Sequence, residues 1–203
     1  MANLDLNPAL VNVFGPGTTG KSNFIKWLLS QPKYSRHVVF DPMKEYDPDT
    51  FNVYRPNAVE YEQGNEELNQ FLAQMLSLPR HARPRYIVVD EAANFIPGGN
   101  RRVGGEVSKL MYHNTHYNPR VTLITANRHP TDLDSTLREM YDHMFVFGAR
   151  GNAVDTLENM ASGFRDVLEE LPEYHFVHAD PRGDLTVYEP VEDMGEYDLL
   201  GDD

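Results

Sequence analysis

The sequence predicts an α/β fold in which a mostly parallel sheet is flanked by helices, and three observations support this prediction. Short apolar runs alternate along the chain with longer stretches of helical periodicity. Most of these runs are apolar throughout rather than at alternate positions, which is typical of strands covered on both faces. The chain has 203 residues, 40% of them hydrophobic, which suits one folded domain with a substantial core.

Strands and helices are predicted in alternation over the first three quarters of the chain. Residues 9–14 form an apolar run, and Phe24 and Leu28 then recur with helical spacing. Pro42 ends the next apolar run, and Pro79 ends an amphipathic stretch. The predicted strands are 9–14, 36–41, 85–90, 121–126 and 143–148, and the further helices are 66–78, 107–117 and 133–141.

The C-terminal part of the chain predicts a different arrangement. Two β-like runs, 174–179 and 185–190, flank the turn-forming residues 180–184, so we expect an antiparallel hairpin. We expect residues 1–190 to form a single domain, followed by an acidic tail at 191–203. The last fifteen residues carry seven acids and no base, which predicts a solvated terminus.

The composition excludes several classes of protein. The absence of cysteine excludes a disulfide framework, thiolate zinc sites and thiol catalysis. No apolar run reaches the roughly 18 residues of a membrane span, and the N-terminus lacks a signal-peptide pattern, so we expect a soluble, intracellular protein without membrane insertion. The net charge of −13 argues against DNA binding over the whole surface, so any contact with DNA requires local basic loops.

The strongest functional signal follows the first predicted strand, where residues 15–22 match the P-loop pattern G-x-x-x-x-G-K-[ST]. Glycines let the backbone N–H groups converge on phosphates, and the start of the following helix adds partial positive charge. Lys21 would reach the β- and γ-phosphates of ATP, and the Ser22 hydroxyl would ligate Mg²⁺. The predicted ATP-binding residues are Gly15, Pro16, Gly17, Thr18, Thr19, Gly20, Lys21, Ser22 and Asn23.

Two acids end the strand predicted at 85–90. Asp90 and Glu91 follow four apolar residues, which places both carboxylates at the C-terminal edge of the sheet, beside the P-loop. Asp90 would hold Mg²⁺, and Glu91 would orient and deprotonate the attacking water. An ordinary strand end that becomes polar at the surface is the simpler alternative. The P-loop beside it favours the catalytic interpretation.

The strand predicted at 121–126 is followed by Asn127 and Arg128. The Asn127 amide could bond to the γ-phosphate or to the attacking water, or could only form a turn. Arg128 could stabilise transition-state charge across a subunit boundary, or could be a surface cation. Both pairs of alternatives remain open on the sequence.

Further short motifs complete the pattern. Residues 41–46 are similar to D-P-x-x-E-Y, and they are joined by the stretches at 90–95, 116–118, 125–128 and 132–134. Over about residues 9–190, this combination resembles the FtsK/HerA branch of P-loop motor ATPases. It most resembles the genome-packaging ATPases of tailless icosahedral double-stranded DNA viruses with an internal membrane.

The resemblance implies a RecA-like P-loop NTPase fold that uses ATP and Mg²⁺, with Lys21 and Ser22 on the nucleotide and metal, Asp90 on the metal and Glu91 as the base. Asn127 would replace the sensor glutamine of that family. The implied assembly is a homo-oligomeric ring, commonly a hexamer, in which one subunit's arginine completes its neighbour's site. Since Thr115 stands where the family commonly has an arginine, the candidates for this role are Arg120, Arg128 and Arg150.

Two other regions carry open hypotheses. The segment 97–105 places four glycines around Arg101 and Arg102, and it could contact DNA in the pore of a ring or be a plain surface loop. Asp41 and Glu45 could position water or metal, or could end a strand in a turn with Pro42.

The resemblance implies ATP-driven translocation of double-stranded DNA into a preformed capsid, with capsid or vertex proteins as partners, in the host cytoplasm or the virion. Three alternatives remain: a cellular or plasmid DNA-pumping ATPase of the same branch, a small-molecule kinase, and a non-catalytic nucleotide-dependent scaffold.

Overall fold

The sheet places the glycine-rich loop near its middle. A computed structural model describes residues 4, 6, 9–57, 61–96, 105–113, 120–133 and 135–195, and within them eight strands form one sheet in the order β3-β2-β4-β5-β1-β6-β7-β8. The strands are β1 (Leu10–Phe14), β2 (His37–Phe40), β3 (Val53–Tyr54), β4 (Tyr86–Val89), β5 (Thr122–Asn127), β6 (His143–Val146), β7 (Phe176–Ala179) and β8 (Leu185–Tyr188).

The first six strands in this order are parallel, and β7 and β8 continue the sheet in antiparallel pairs. The predicted fold class and the C-terminal hairpin are therefore confirmed. The helices are α1 (Lys21–Ser30), α2 (Tyr61–Ser77), α3 (Gly105–His113), α4 (Ser135–Glu139), α5 (Asn152–Met160) and α6 (Phe164–Glu169). None of these helices is long and apolar enough to cross a membrane.

Strand β1 shows how the sheet is buried on both faces. Val11 and Val13 pack with Phe24 and Leu28 of α1 on one face. Leu10 and Phe14 point to the opposite face, where α2 to α6 pack. Successive residues of a strand point to opposite faces, and helices cover both faces here, so both sets of side chains are buried. The continuous apolar run of β1 is the sequence signature of this arrangement.

The helices differ from the prediction in extent. α2 begins five residues before the predicted 66–78, and α4 is only five residues long instead of spanning 133–141. A short 3-10 helix, Pro130–Asp132, precedes α4 and is capped by His129, whose backbone N–H donates to the Asp132 carboxylate. The predicted helix 107–117 is α3, and its residues 114–117 lie outside the described residues. β3, α5 and α6 were not predicted.

Candidate nucleotide site

The P-loop is fixed between β1 and α1 by its neighbours in the sheet. The Gly15 N–H donates to the Asn127 carbonyl at 3.2 Å, and the Phe147 N–H donates to the Phe14 carbonyl at 2.8 Å. A Cβ atom on Gly15 would lie 2.8 Å from the Phe147 Cβ and from the Thr19 Oγ1, so no larger residue fits there. The end of β1 is thereby locked to β5 and to the residue that follows β6.

The start of α1 presents free backbone donors. Gly20, the N-cap, has φ 96° and ψ 9°, a left-handed conformation that favours glycine. The first intrahelical bond runs from the Phe24 N–H to the Gly20 carbonyl at 2.9 Å, which leaves the N–H groups of Lys21, Ser22 and Asn23 without an intrahelical acceptor. These donors and the helix dipole make this turn suited to a phosphate.

Lys21 lies near the acids that follow β4, in the region that we call the cleft. Its Nζ donates to the Pro16 carbonyl at 2.9 Å. Burial lowers the pKa of Lys21, and the charges of Glu91 and Asp90 act in the opposite direction, so both carboxylates lie within electrostatic reach of the ammonium group. The structure therefore brings the predicted lysine and the predicted acids together. β5 lies between β1 and β4, so the two strands are not direct neighbours.

Asp90 is a buried carboxylate that interacts with the Tyr46 hydroxyl. The residue is only 5% exposed, and its Oδ1 accepts the Glu91 N–H at 2.9 Å. Its Oδ2 has no hydrogen bond of good geometry within the described part of the chain, although the Tyr46 hydroxyl is close enough to affect the carboxylate. Burial raises the pKa of Asp90 to about 7, and the charge of Glu45 adds to this increase. A buried carboxylate in this state is ready to accept a cation or a proton.

The residues of the 41–46 motif divide into two roles. The buried Asp41 carboxylate accepts the N–H groups of Glu45 and Tyr46, at 3.0 and 3.1 Å, which fixes the turn after β2. The Tyr46 side chain is fully buried, and its pKa is raised well above the usual value by burial and by the nearby charge of Asp90. Asp41 thus supports the strand-ending turn, whereas Glu45 and Tyr46 face the cleft.

Glu91 adopts a strained backbone and pairs with Arg128 of the same chain. Its φ of 44° and ψ of 44° lie in the left-handed region, which is uncommon outside glycine and concentrates at functional sites. The Arg128 Nε and Nη2 donate to the Glu91 Oε1 at 3.1 and 3.0 Å. The sequence suggested an arginine acting across a subunit boundary, and the structure places this arginine on its own chain's predicted base.

Asn127 ends a chain of buried polar groups below the cleft. It is 1% exposed, its Nδ2 donates to the Asn12 Oδ1 at 3.4 Å, and its Oδ1 has no partner among the described residues. Asn12 in turn donates to the Thr125 Oγ1 at 2.7 Å, and this hydroxyl bonds to the Tyr141 hydroxyl at 2.7 Å. Sequence reasoning missed Asn12, and the signal for it was a polar residue inside an otherwise apolar strand.

The donor set fits a magnesium ion. Mg²⁺ prefers oxygen ligands and is held by one or two protein groups together with phosphates. The free Oδ2 of Asp90 is such an oxygen, and the Ser22 hydroxyl stands on the first turn of α1. No group of three or more His, Cys, Asp or Glu side chains that could hold a metal occurs among the residues that the structure describes.

The remaining predicted residues lie at the edge of the site, elsewhere on the surface or outside the described residues. Arg150 is exposed in the loop between Gly148 and Gly151, after β6, and lines a cavity with Pro16 and Arg128. Arg120 is exposed just before β5. Asn23 sits beside Ser22, but its side chain contacts the C-terminal segment. Arg101 and Arg102 lie in a stretch that the structure does not describe.

Comparison with solved structures finds the same fold in proteins of known activity. The chain is similar to the genome packaging NTPase B204 of Sulfolobus turreted icosahedral virus 2 in complex with AMPPCP, with a TM-score of 0.70 and 18% identity over 91% of this chain and 98% of that chain. It is also similar to B204, the DNA-packaging ATPase of Sulfolobus turreted icosahedral virus, with a TM-score of 0.68 and 17% identity over 92% and 100% of the two chains.

A third similarity is to the N-terminal domain of zonular occludens toxin from Neisseria meningitidis. The TM-score is 0.58 and the identity 12%, over 92% of this chain and 96% of that chain. Comparison of the sequence with protein-family models and with curated proteins finds no match. The chain therefore has the fold of P-loop NTPases, as the sequence predicts.

Proposed function

We propose that this chain is an ATP-hydrolysing motor that translocates double-stranded DNA and packages a viral genome into a preformed capsid. The observation that carries this proposal is that Asp90 and Glu91 lie within electrostatic reach of the Lys21 ammonium group, at the carboxyl ends of β1 and β4. The similarity in fold to two viral genome-packaging NTPases supports the choice of DNA as the transported molecule.

Each part of the cleft has a role in this reaction. The N–H groups of residues 21–23 and the Lys21 ammonium would bind the β- and γ-phosphates of ATP. Ser22 and Asp90 would hold Mg²⁺, which neutralises phosphate charge when it is bound. Glu91 would accept a proton from the attacking water, and the free Oδ1 of Asn127 would orient that water. Arg128, paired with Glu91, would hold the carboxylate in place and stabilise charge from within the same chain.

The assembly would be a homo-oligomeric ring, with a hexamer as the expected form. Because Arg128 is engaged with its own Glu91, the exposed Arg120 and Arg150 are the better candidates for an arginine that acts on a neighbouring subunit. Arg101 and Arg102 remain the candidates for contact with DNA phosphates. A net charge of −13 means that such contact must be local. Capsid or vertex proteins would supply specificity, in the virion or the host cytoplasm.

The decisive experiment compares ATP hydrolysis by the wild type and by Glu91→Gln, with and without duplex DNA, together with the mass of the assembly in ATP. We expect DNA to stimulate the wild type. We expect Glu91→Gln to bind ATP and to hydrolyse it at least ~100-fold more slowly, since a positioned general base contributes about this much. Glu139→Gln is the matched control, because it removes the same charge from the exposed end of α4.

Two results would contradict the proposal. Equal rates in Glu91→Gln and Glu139→Gln would remove Glu91 from the chemistry. Hydrolysis that duplex DNA does not stimulate, together with a phosphorylated small-molecule product, would favour a kinase.

A further inference from the structure

The chain crosses α1 after it leaves the sheet. Strand β8 ends at Tyr188, and Val191 then packs against the core cluster that contains Phe24 and Ile25 of α1. Residues 191–195, which we call the C-terminal strap, continue along the first half of that helix. The charge of this region predicts a solvated terminus. The acidic side chains of the strap are exposed, while its backbone and Val191 are held against α1.

Asn23 binds the strap through both ends of its side-chain amide. Its Nδ2 donates to the Glu192 carbonyl at 3.0 Å, and its Oδ1 accepts the Met194 N–H at 2.7 Å. An asparagine that uses donor and acceptor together on one backbone segment fixes that segment in position and direction. The contact needs no particular side chain on the strap, because it uses only main-chain groups.

Lys26 adds a second attachment one turn further along α1. This lysine is only 7% exposed, its Nζ donates to the Gly195 carbonyl at 3.1 Å, and it lies 5.9 Å from the centre of the Tyr46 ring. A buried ammonium group requires such partners, and a hydrogen bond from a charged donor is stronger than one between neutral groups. The strap therefore provides an acceptor for the buried Lys26 ammonium group, in addition to its hydrogen bonds with Asn23.

Asn23 also belongs to the turn that faces the phosphates. Its backbone N–H is one of the three at the start of α1 without an intrahelical acceptor, and it directly follows Ser22. We propose that the strap is a positioning element of the nucleotide site: by holding the Asn23 side chain, it fixes the main-chain donor of the same residue toward the phosphates. This inference rests on the proposed nucleotide site and extends it to a segment that does not touch the P-loop glycines.

Coupling of this kind acts in both directions. If the docked strap increases nucleotide affinity, bound nucleotide must stabilise the docked strap by the same factor. The acidic residues that follow Gly195 would then be attached to a segment whose docking depends on the nucleotide. A partner protein that binds the acidic residues could thereby sense, or set, the nucleotide state.

The test measures binding of Mg²⁺ and AMPPCP to full-length variants. Met194→Pro removes the N–H that Asn23 accepts, and Met194→Ala is the matched control that keeps it. We expect Met194→Pro to weaken binding about tenfold, the ratio that corresponds to the loss of one net hydrogen bond, and Met194→Ala to change it less than about twofold. Asn23→Ala should weaken binding similarly in the wild type and add little to Met194→Pro.

A second control tests whether the loss of any lysine contact near α1 has this effect. Lys33 donates to the Leu4 carbonyl and lies over the Tyr34 ring, just after the far end of α1. Lys26→Met should weaken AMPPCP binding, whereas Lys33→Met should not. Hydrogen exchange of the Met194 amide in the wild type should slow about tenfold on addition of Mg²⁺ and AMPPCP.

The outcomes separate this proposal from the proposed function. Equal affinity of Met194→Pro and Met194→Ala, or a Met194 amide whose exchange is unchanged by AMPPCP, would overturn the role of the strap while leaving the nucleotide site intact. A wild type that binds no AMPPCP would overturn both.

Discussion

Two regions of the sheet differ in how their buried groups are satisfied. One is the cleft at the carboxyl ends of β4 and β5, and the other is the region around β6, β7 and β8, which we call the antiparallel half. At the carboxyl ends of β4 and β5, the buried Oδ1 of Asn127 has no partner within the described chain, and Glu91 has a left-handed backbone. Asp90 and the Tyr46 hydroxyl interact there without a hydrogen bond of good geometry. In the antiparallel half, the rings of Phe147 and Phe176 stack with centres 4.7 Å apart. One region keeps polar groups unsatisfied, and the other fills space with apolar contacts.

The difference shows where stability and function are located. A buried polar atom without a partner lowers the free energy of unfolding by about 1–3 kcal/mol, and such atoms persist where a ligand supplies the missing contact. Aromatic packing raises the free energy of unfolding. Phe24 of α1 contacts the rings of Phe145, Phe147 and Phe176, so the helix that begins at the P-loop is anchored in the stable half.

The largest expected effect on stability comes from the aromatic half. Phe176 is fully buried, and Phe176→Ala should lower the free energy of unfolding by about 3–5 kcal/mol, since it leaves a cavity among the neighbouring rings. Denaturant unfolding measures this change. Val187→Ala on β8, whose side chain is exposed, should lower it by less than about 1 kcal/mol. Loss of AMPPCP binding by folded Phe176→Ala would show that the two halves are not separable.

Asp90→Asn should raise the free energy of unfolding, whereas Phe176→Ala lowers it, and Asp90→Asn should also abolish ATP hydrolysis. Because folding raises the pKa of Asp90 from 3.8 to about 7, the native state binds more protons than the unfolded state between these values, and the free energy of unfolding falls as pH rises through this window. At pH 8 the free energy of unfolding of the variant should exceed that of the wild type by about 2 kcal/mol. This value is smaller than the energy that corresponds to the full pKa difference.

Unfolding curves of both proteins at pH 4 and pH 8, without nucleotide, measure this prediction. The stabilisation should be present at pH 8 and nearly absent at pH 4. A variant that is less stable than the wild type at pH 8 would show that the Asp90 carboxylate has a stabilising partner in the native state.

The same contrast explains what the sequence could predict. Parallel strands such as β4 were predictable because burial on both faces leaves continuous apolar runs. β8 is largely exposed and was predicted from the turn residues before it. β3 has only two residues, which is too short for a pattern. α5 is short, with nine residues and two buried side chains, Ala153 and Leu157, but its sequence does carry a helical period that the prediction overlooked.

Within the site, the sequence indicated residue types but not their partners. The P-loop and the pair Asp90–Glu91 carry a spacing that their chemistry requires, so both were identifiable. The pairing of Arg128 with Glu91 depends on how β5 lies beside β4, and the contact of Asn23 with the strap joins residues about 170 positions apart. Contacts of this kind follow from the tertiary fold, and no local pattern encodes them.

The smallest expected effect concerns a histidine of the aromatic half. His178 is buried, stacks on Phe145 with centres 4.6 Å apart, and its Nε2 lies 3.0 Å from the His143 Nδ1. Burial, followed by the charge of His143, lowers the pKa of His178 from 6.5 to about 4. The unfolded state therefore binds more protons between pH 6.5 and 4, and the free energy of unfolding falls as pH falls through this range.

His178→Phe keeps a ring in the stack and removes the titrating group. From pH 8 to pH 5, the wild type should lose about 1 kcal/mol more stability than this variant, a value reduced for the partial exposure of the imidazole. Unfolding curves at both pH values measure the difference. An identical pH dependence in the two proteins would mean that folding leaves the pKa of His178 unchanged, and that the native antiparallel half accepts a buried charge at pH 5.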